Sequence, residues 1–258
     1  MQKESKVFMK EIQRILSFTR RAVDDYRMIE AGDRIAVGIS GGKDSLTLLT
    51  ALAELRRFYP LPYTICGITV DMGFPGTDHS AIAAYCERLG VEYRVVPSDI
   101  AEIIFNIRKE KNPCSLCANM RRGALHAAAK EMGCNRVALG HHFDDVVDTF
   151  MLNLFFEGRI GCFSPVTYLS NTDLHLIRPL LYAQEKDILY YVRHADLPIM
   201  ESLCPENHAT ERENMKQLLK TLEANNKGLR HRIFGAICRG EVDGFKPAGS
   251  KLRTYDDE

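Results

Sequence analysis

The sequence predicts an α/β fold: a doubly wound sheet of five parallel strands, with an N-terminal helix and a helical C-terminal tail. Three observations lead there. Short apolar runs alternate with longer segments of helical spacing from residue 34 to residue 195. The runs are apolar throughout rather than alternating, as strands covered on both faces must be. The pair Gly41-Gly42 joins the first run to a helical pattern, and such strand–turn–helix junctions hold ligands at the carboxyl edge of parallel sheets.

Taken in order, the elements are these. Residues 3–29 read as an amphipathic, mainly basic helix, with Val7, Ile12, Ile15, Leu16 and Val23 on one side and Lys6, Lys10, Arg14 and Arg21 largely on others. Strands are expected over 34–39, 63–70, 92–96, 136–139 and 174–177. Helices are expected over 44–58, 78–89, 100–108, 116–132, 144–156 and 184–195. After Pro198 the alternation stops; 211–224 and 230–238 read as helices, and 243–258 as loosely ordered.

With 258 residues the chain can bury a full core. Its 34 basic and 34 acidic residues cancel, so any surface for nucleic acid must be local. No apolar run reaches the length of a membrane span and the first residues lack a signal peptide, so a cytoplasmic protein without a membrane partner is expected. In that compartment thiols stay reduced, and eight cysteines point to metal or catalytic work for some of them.

The chemistry centres on Ser40-Gly41-Gly42-Lys43-Asp44-Ser45. Glycines let the backbone approach an anion, the first amides of the following helix point outward, and Ser40, Ser45 and Lys43 add donors and charge. Asp44 would repel a bare phosphate, so its presence calls for a metal ion or amide beside it. The Walker pattern does not fit. The hexapeptide resembles instead the PP-loop of ATP pyrophosphatases, which split ATP between the α- and β-phosphates. An ordinary serine-capped turn is the plain alternative; the strand before and the helix after favour a ligand. Asp71 and the pair His141-His142 also fall at strand ends, where one site can collect them.

Cys114-Ser-Leu-Cys117 is a C-x-x-C beginning close to a helix start, where thiolates are favoured. Cys204, in a turn beyond the sheet, is the nearest further candidate. Three thiolates can ligate three irons of a cubane and leave the fourth iron open. With His208, four residues after Cys204, the same set suits a closed zinc site. A redox disulfide is a third reading, and spacing does not choose among them. Cys66, Cys86, Cys134, Cys162 and Cys238 read as structural.

Five segments in this order, Ser40–Ser45, Cys114–Gly123, Gly140–Asp145, Ile177–Leu180 and Cys204, resemble the TtcA-type tRNA 2-thiocytidine synthetases. That resemblance implies the adenine-nucleotide α-hydrolase (PP-loop) fold, ATP and magnesium, and a 4Fe–4S cluster on Cys114, Cys117 and Cys204. It breaks the tie in favour of iron. It implies thiolation of cytidine 32 in tRNA, with a cysteine desulfurase or other sulfur donor as partner and a homodimer as the assembly. Glu201 stands where familiar members carry another cysteine. The divisions expected are 1–30 (basic helix), 31–200 (PP-loop domain with inserted C-x-x-C helix) and 201–258 (third-cysteine loop and tail).

Roles follow from this. Gly41, Gly42, Ser40, Lys43 and Ser45 should bind the pyrophosphate part of ATP, with Asp71 and His142 as further nucleotide contacts. Asp44 should position magnesium, Asp145 assist it, and His141 or His142 move a proton; Asp144 reads as a helix cap. Cys114 and Cys117 belong to the reacting centre. Arg121 and Arg122 should grip phosphates of an extruded nucleotide, while Lys216, Lys220, Lys227, Arg230, Arg232 and the N-terminal basics either hold the tRNA body or are solvated faces. Phe155-Phe156 and Tyr190-Tyr191 read as core. The competing functions are a PP-loop ligase that joins an amine to an adenylated base, and a zinc-stabilised RNA- or nucleotide-binding protein without turnover.

Overall fold

Ile35, Ala36 and Val37 are fully buried, and the strand they form lies inside a six-stranded sheet. The computed structural model describes residues 2–108, 113–201, 203–205 and 211–248, with side chains from residue 12 onward. Its elements are α1 (Gln2–Asp25), β1 (Arg34–Gly38), α2 (Lys43–Leu55), β2 (Thr64–Asp71), α3 (Ser80–Arg88) and β3 (Glu92–Pro97). A π-helical segment (Glu102–Arg108) leads to α4 (Pro113–Glu131), β4 (Arg136–Ala138), α5 (Phe143–Phe156), β5 (Val166–Leu169) and β6 (Leu174–Ile177). Helices α6 (Glu185–His194), α7 (Glu211–Asn225) and α8 (Leu229–Arg239) follow.

The sheet order is β3-β2-β1-β4-β6-β5. Five strands are parallel, at the expected places, so the doubly wound architecture holds. The sixth, β5, was not expected; it pairs antiparallel with β6, Val166 facing Ile177 and Leu169 facing Leu174. Helix α4 covers one face, where Leu125, Ala128 and Ala129 pack on Ala36, Cys66, Ile68 and Val137. The larger core holds α2, α3 and α5 with the N- and C-terminal helices.

Several expectations need correction. The segment 100–108 is wound as a π-helix rather than an α-helix. Cys134 lies in the turn after α4, and α4 begins at Pro113, three residues before the expected start, because proline needs no donor at a first helical position. Phe155, Phe156 and Tyr190 are 55%, 61% and 54% exposed; only Tyr191 is core. Helix α1 lays Ile12, Ile15, Leu16 and Val23 into the core against α2 and α6, and its Arg14 reaches Asp187 at 3.2 Å. The residues 206–210 and 249–258, which include His208 and most of the loosely ordered tail, lie outside the described residues. No described helix is long and apolar enough to cross a membrane.

At the amino ends of the two central strands, β1 and β4 are fastened by charge. Asp33 precedes β1 and Arg136 opens β4; both are buried and their side chains form an ion pair. Asp33 also accepts the Glu30 N–H at 2.6 Å and the Asn135 side-chain amide at 2.7 Å. Truncating one partner of such a pair strands the other charge without water. Arg136→Ala should therefore lower the unfolding free energy by about 3 kcal/mol in urea titrations, well beyond the effect of exposed Arg57→Ala.

Candidate active site

The turn after β1 takes its shape from glycine and serine. Gly41 has φ +80°, which a side chain resists, and Gly42 caps α2 in an extended conformation. Ser45 Oγ donates to the Gly42 carbonyl at 2.9 Å and accepts the Ser40 N–H at 3.2 Å, and the Ser40 hydroxyl lies 3.2 Å from it. No side chain caps the amides that open α2, which suits them to an anion. Lys43 Nζ lies 2.9 Å from Asp44 Oδ2 and 3.0 Å from Glu185 Oε1. Burial weighs against its ammonium, but the two carboxylates outweigh that and hold its pKa above the ordinary value.

The end of β4 closes against this turn. A Cβ on Gly140 would stand 3.0 Å from the carbonyl carbon and oxygen of Asp44, so only glycine allows the two loops to touch. His142 is buried between carboxylates: its Nε2 lies 3.5 Å from Asp145 Oδ2 and 3.7 Å from Asp44 Oδ1. The backbone N–H of His142 donates to Asp145 Oδ2 at 3.0 Å, and Arg212 of α7 approaches Asp145 Oδ1 at 3.8 Å. Burial opposes the Asp145 charge, yet His142, its amide, His141 and Arg212 hold the carboxyl below the usual range. Asp144 is occupied elsewhere: it accepts the Glu185 N–H at 2.7 Å and pairs with Arg230 at 3.2 Å. His141 turns the other way, with its ring 4.8 Å from Phe163, whose far contact is Arg178 at 4.9 Å. Burial, then the Arg178 charge, lowers its pKa to about 4, so at neutral pH it is an uncharged imidazole.

Asp71 ends β2, where Oδ1 accepts the Gly73 N–H at 2.9 Å and Oδ2 lies 3.4 Å from His79 Nε2. Across the edge, the early start of α4 puts Cys114 in its first turn and Cys117 one turn on, three residues apart and on one side. Burial raises the Cys117 thiol; Arg121 lowers it, and negative charge on Cys204 or Cys114 raises it further. Cys117 therefore lies within electrostatic reach of both other thiols. Cys204 arrives on a segment anchored to the glycine turn, because Met200 donates its N–H to the Gly41 carbonyl at 3.0 Å and packs its side chain over that glycine. All eight thiols are reduced, and no three His, Cys, Asp or Glu among the described residues are drawn together for a single metal ion. Burial lowers the pKa of both Arg178 and His126, and the charge of nearby Arg122 adds to each shift.

The sequence reading missed Glu185, Met200, Arg178 and Arg212 as members of this neighbourhood. Ile177–Leu180 had marked the Arg178 segment without a role, and Glu185 lies in a helical first turn, where a carboxylate is favoured anyway. Arg212 and Met200 carry no local signal. Arg230, expected on RNA, spends its guanidinium on Asp144 and on Asp148 at 2.9 Å. Arg232 donates to carbonyls of the α7–α8 turn, at 2.9 Å to Lys227.

A family model described as a PP-loop domain matches residues 9–237. The chain is 39% identical over 92% of its length to the tRNA-cytidine(32) 2-sulfurtransferase of Methylobacillus flagellatus, spanning 79% of that protein. It is 39% identical over 89% of its length to that of Geobacter metallireducens, spanning 90% of it. Among solved structures it is similar to the U34-tRNA thiolase NcsA from Methanococcus maripaludis with its 4Fe–4S cluster. That match has a TM-score of 0.71 and 26% identity, and covers 90% of this chain and 78% of the other.

Two predictions follow from the geometry. Gly140→Ala should destabilise the fold by about 1–3 kcal/mol by pushing on the Asp44 backbone. Gly123→Ala, which meets nothing within 4 Å, should not. The second concerns pH. A histidine whose pKa falls from 6.5 to about 4 on folding contributes stability that is complete above pH 6.5 and is lost as pH falls toward 4. Urea midpoints at pH 5 and 7 should differ less in His141→Gln than in the parent protein.

Proposed function

The chain belongs to the PP-loop family of tRNA-cytidine(32) 2-sulfurtransferases, and on that premise we propose that it replaces the C2 oxygen of a tRNA pyrimidine, cytidine 32 foremost, with sulfur. One observation carries the reading. The Met200 segment rests on the glycine turn and Cys204, four residues on, lies near Cys117 of α4, which supports nucleotide activation and sulfur chemistry at one place.

The C2 oxygen is a poor leaving group. Its attack on the α-phosphorus of ATP expels pyrophosphate and leaves an O-adenylate; sulfur then bonds to C2 and the oxygen departs with AMP. Gly41, Gly42 and the opening amides of α2 cradle the pyrophosphate, with Ser40, Ser45 and Lys43 as donors. Magnesium keeps several waters and needs only one or two protein carboxylates, which Asp44 and Asp145, bridged by one imidazole, supply. Asp71 and His142 complete the nucleotide contacts. His142, between Asp44 and Asp145, is the better candidate to move a proton, since His141 packs on Phe163. Arg121 and Arg122 hold the phosphates of the extruded nucleotide; opening a loop base costs less than opening a duplex.

Cys114, Cys117 and Cys204 are the ligands we assign to a 4Fe–4S cluster. Support comes from the 4Fe–4S cluster of the U34-tRNA thiolase NcsA and from the nearness of both Cys114 and Cys204 to Cys117. When bound, the cluster supplies an iron without a protein thiolate, where sulfur can be delivered. The reading includes a cysteine desulfurase or other sulfur donor and a cytoplasmic homodimer. The ligase alternative would leave the three thiols without work, and the zinc-stabilised binder would leave Asp44 and Asp145 without it.

Protein purified without oxygen should be brown and bleach in air; colourless protein holding one zinc would overturn the cluster. Cys117→Ala should abolish thiolation, read by mass spectrometry of tRNA nucleosides, while ATP binding persists. Asp44→Ala should block pyrophosphate release while the colour remains.

A further inference from the structure

Lys43 is held by two carboxylates, and only one belongs to the glycine turn. Asp44 Oδ2 lies 2.9 Å from its Nζ and Glu185 Oε1 lies 3.0 Å away. Asp44 has other demands. Its second oxygen, Oδ1, also lies 3.0 Å from the same Nζ, with the His142 ring at 3.7 Å, and the proposed reaction assigns this carboxylate to magnesium. An ammonium and a divalent cation compete for one carboxylate, because each weakens the attraction of the other. The lysine sits on the group that the metal needs.

Glu185 lies outside that contest. It opens α6, where the helix N-terminus favours negative charge, and its N–H is fastened to Asp144 Oδ2 at 2.7 Å. The backbone under this carboxylate is thus tied to α5, the helix that also carries Asp145. Lys216 of α7 stands 3.9 Å from the same Glu185 oxygen, a longer and weaker contact than that of Lys43.

We propose that Glu185 is the positioning residue for Lys43. It offers the ammonium a second carboxylate, so that a divalent cation can take Asp44 while the lysine stays beside the glycine turn. The proposal rests on the ATP reading above. Glu185 touches neither substrate nor metal in this scheme; it acts through the lysine. A merely structural tether between α2 and α6 would set stability and leave magnesium dependence alone.

The test is a magnesium titration of ATP binding by the full chain purified without oxygen, with unfolding followed in parallel. Glu185→Gln should raise the magnesium concentration at half-saturation by about tenfold, the size expected for losing one charge-assisted hydrogen bond. Glu185→Asp, which keeps the charge one methylene shorter, should fall between the two. In a Lys43→Ala background, Glu185→Gln should add nothing, because the residue works only through the lysine. Unchanged magnesium dependence in Glu185→Gln, or a full second effect in the Lys43→Ala background, overturns the positioning role while leaving the ATP reading intact. A parent protein that binds no magnesium–ATP overturns both. If Glu185→Gln does not fold, Glu185→Asp decides alone: a shifted half-saturation supports the role, and an unshifted one overturns it.

Discussion

Everything at this site depends on β1 and β4 lying side by side. The chain runs outward from β1 through β2 to β3, then returns to the opposite flank of β1 as β4. At such a reversal the two following loops diverge to opposite sides and leave a crevice. Here one loop is the glycine turn and the other begins with Gly140. The crevice has a floor because Gly140 has no side chain to hold it off the Asp44 backbone. At the other ends of the same two strands, Asp33 and Arg136 fix their relative position. The helices that carry Asp44 and Asp145 thus start from a rigid pair of strands.

Charge explains why a neutral chain can build such a place. Asp44, Asp145, Asp144, Asp148 and Glu185 crowd one edge of the sheet, and left alone they would repel one another. Cations near and far along the chain answer them: Lys43 to its neighbour Asp44 and to Glu185, Arg212 to Asp145, and Arg230 to Asp144 and Asp148. Helices α7 and α8, which pack on α5, therefore complete the electrostatics of the edge. Their basic residues are partly committed inward, so Arg230 in particular has little charge left for RNA.

The legible parts of the sequence are those whose cause is local. Buried parallel strands need unbroken apolar runs, and the five runs sit where the strands are. The glycine turn needs Gly41 at positive φ and declares itself in the dipeptide. β5 escaped because Val166–Leu169 is a half-buried edge strand, too short to show alternation; the Asn171-Thr172-Asp173 turn between two β-prone runs was its available signal. Pro113 was readable as a helix start and would have put both thiols of C-x-x-C on one side of the helix. The ion pairs that bring Glu185 and Arg212 to the site join residues tens to more than a hundred positions apart, and no window along the chain contains their reason.

The thiols and the glycine turn are coupled through backbone. Met200 hydrogen-bonds to Gly41 by its N–H, and Cys204 is only four residues further on. The Gly41 carbonyl that Met200 holds belongs to the same turn whose amides are open to an anion. In the other direction, ligands must lose protons to hold a metal. Burial resists that loss at Cys117 while Arg121 assists it. Arg121 stands one helical turn beyond Cys117 on the same helix, where its guanidinium partly offsets the burial that resists the thiolate.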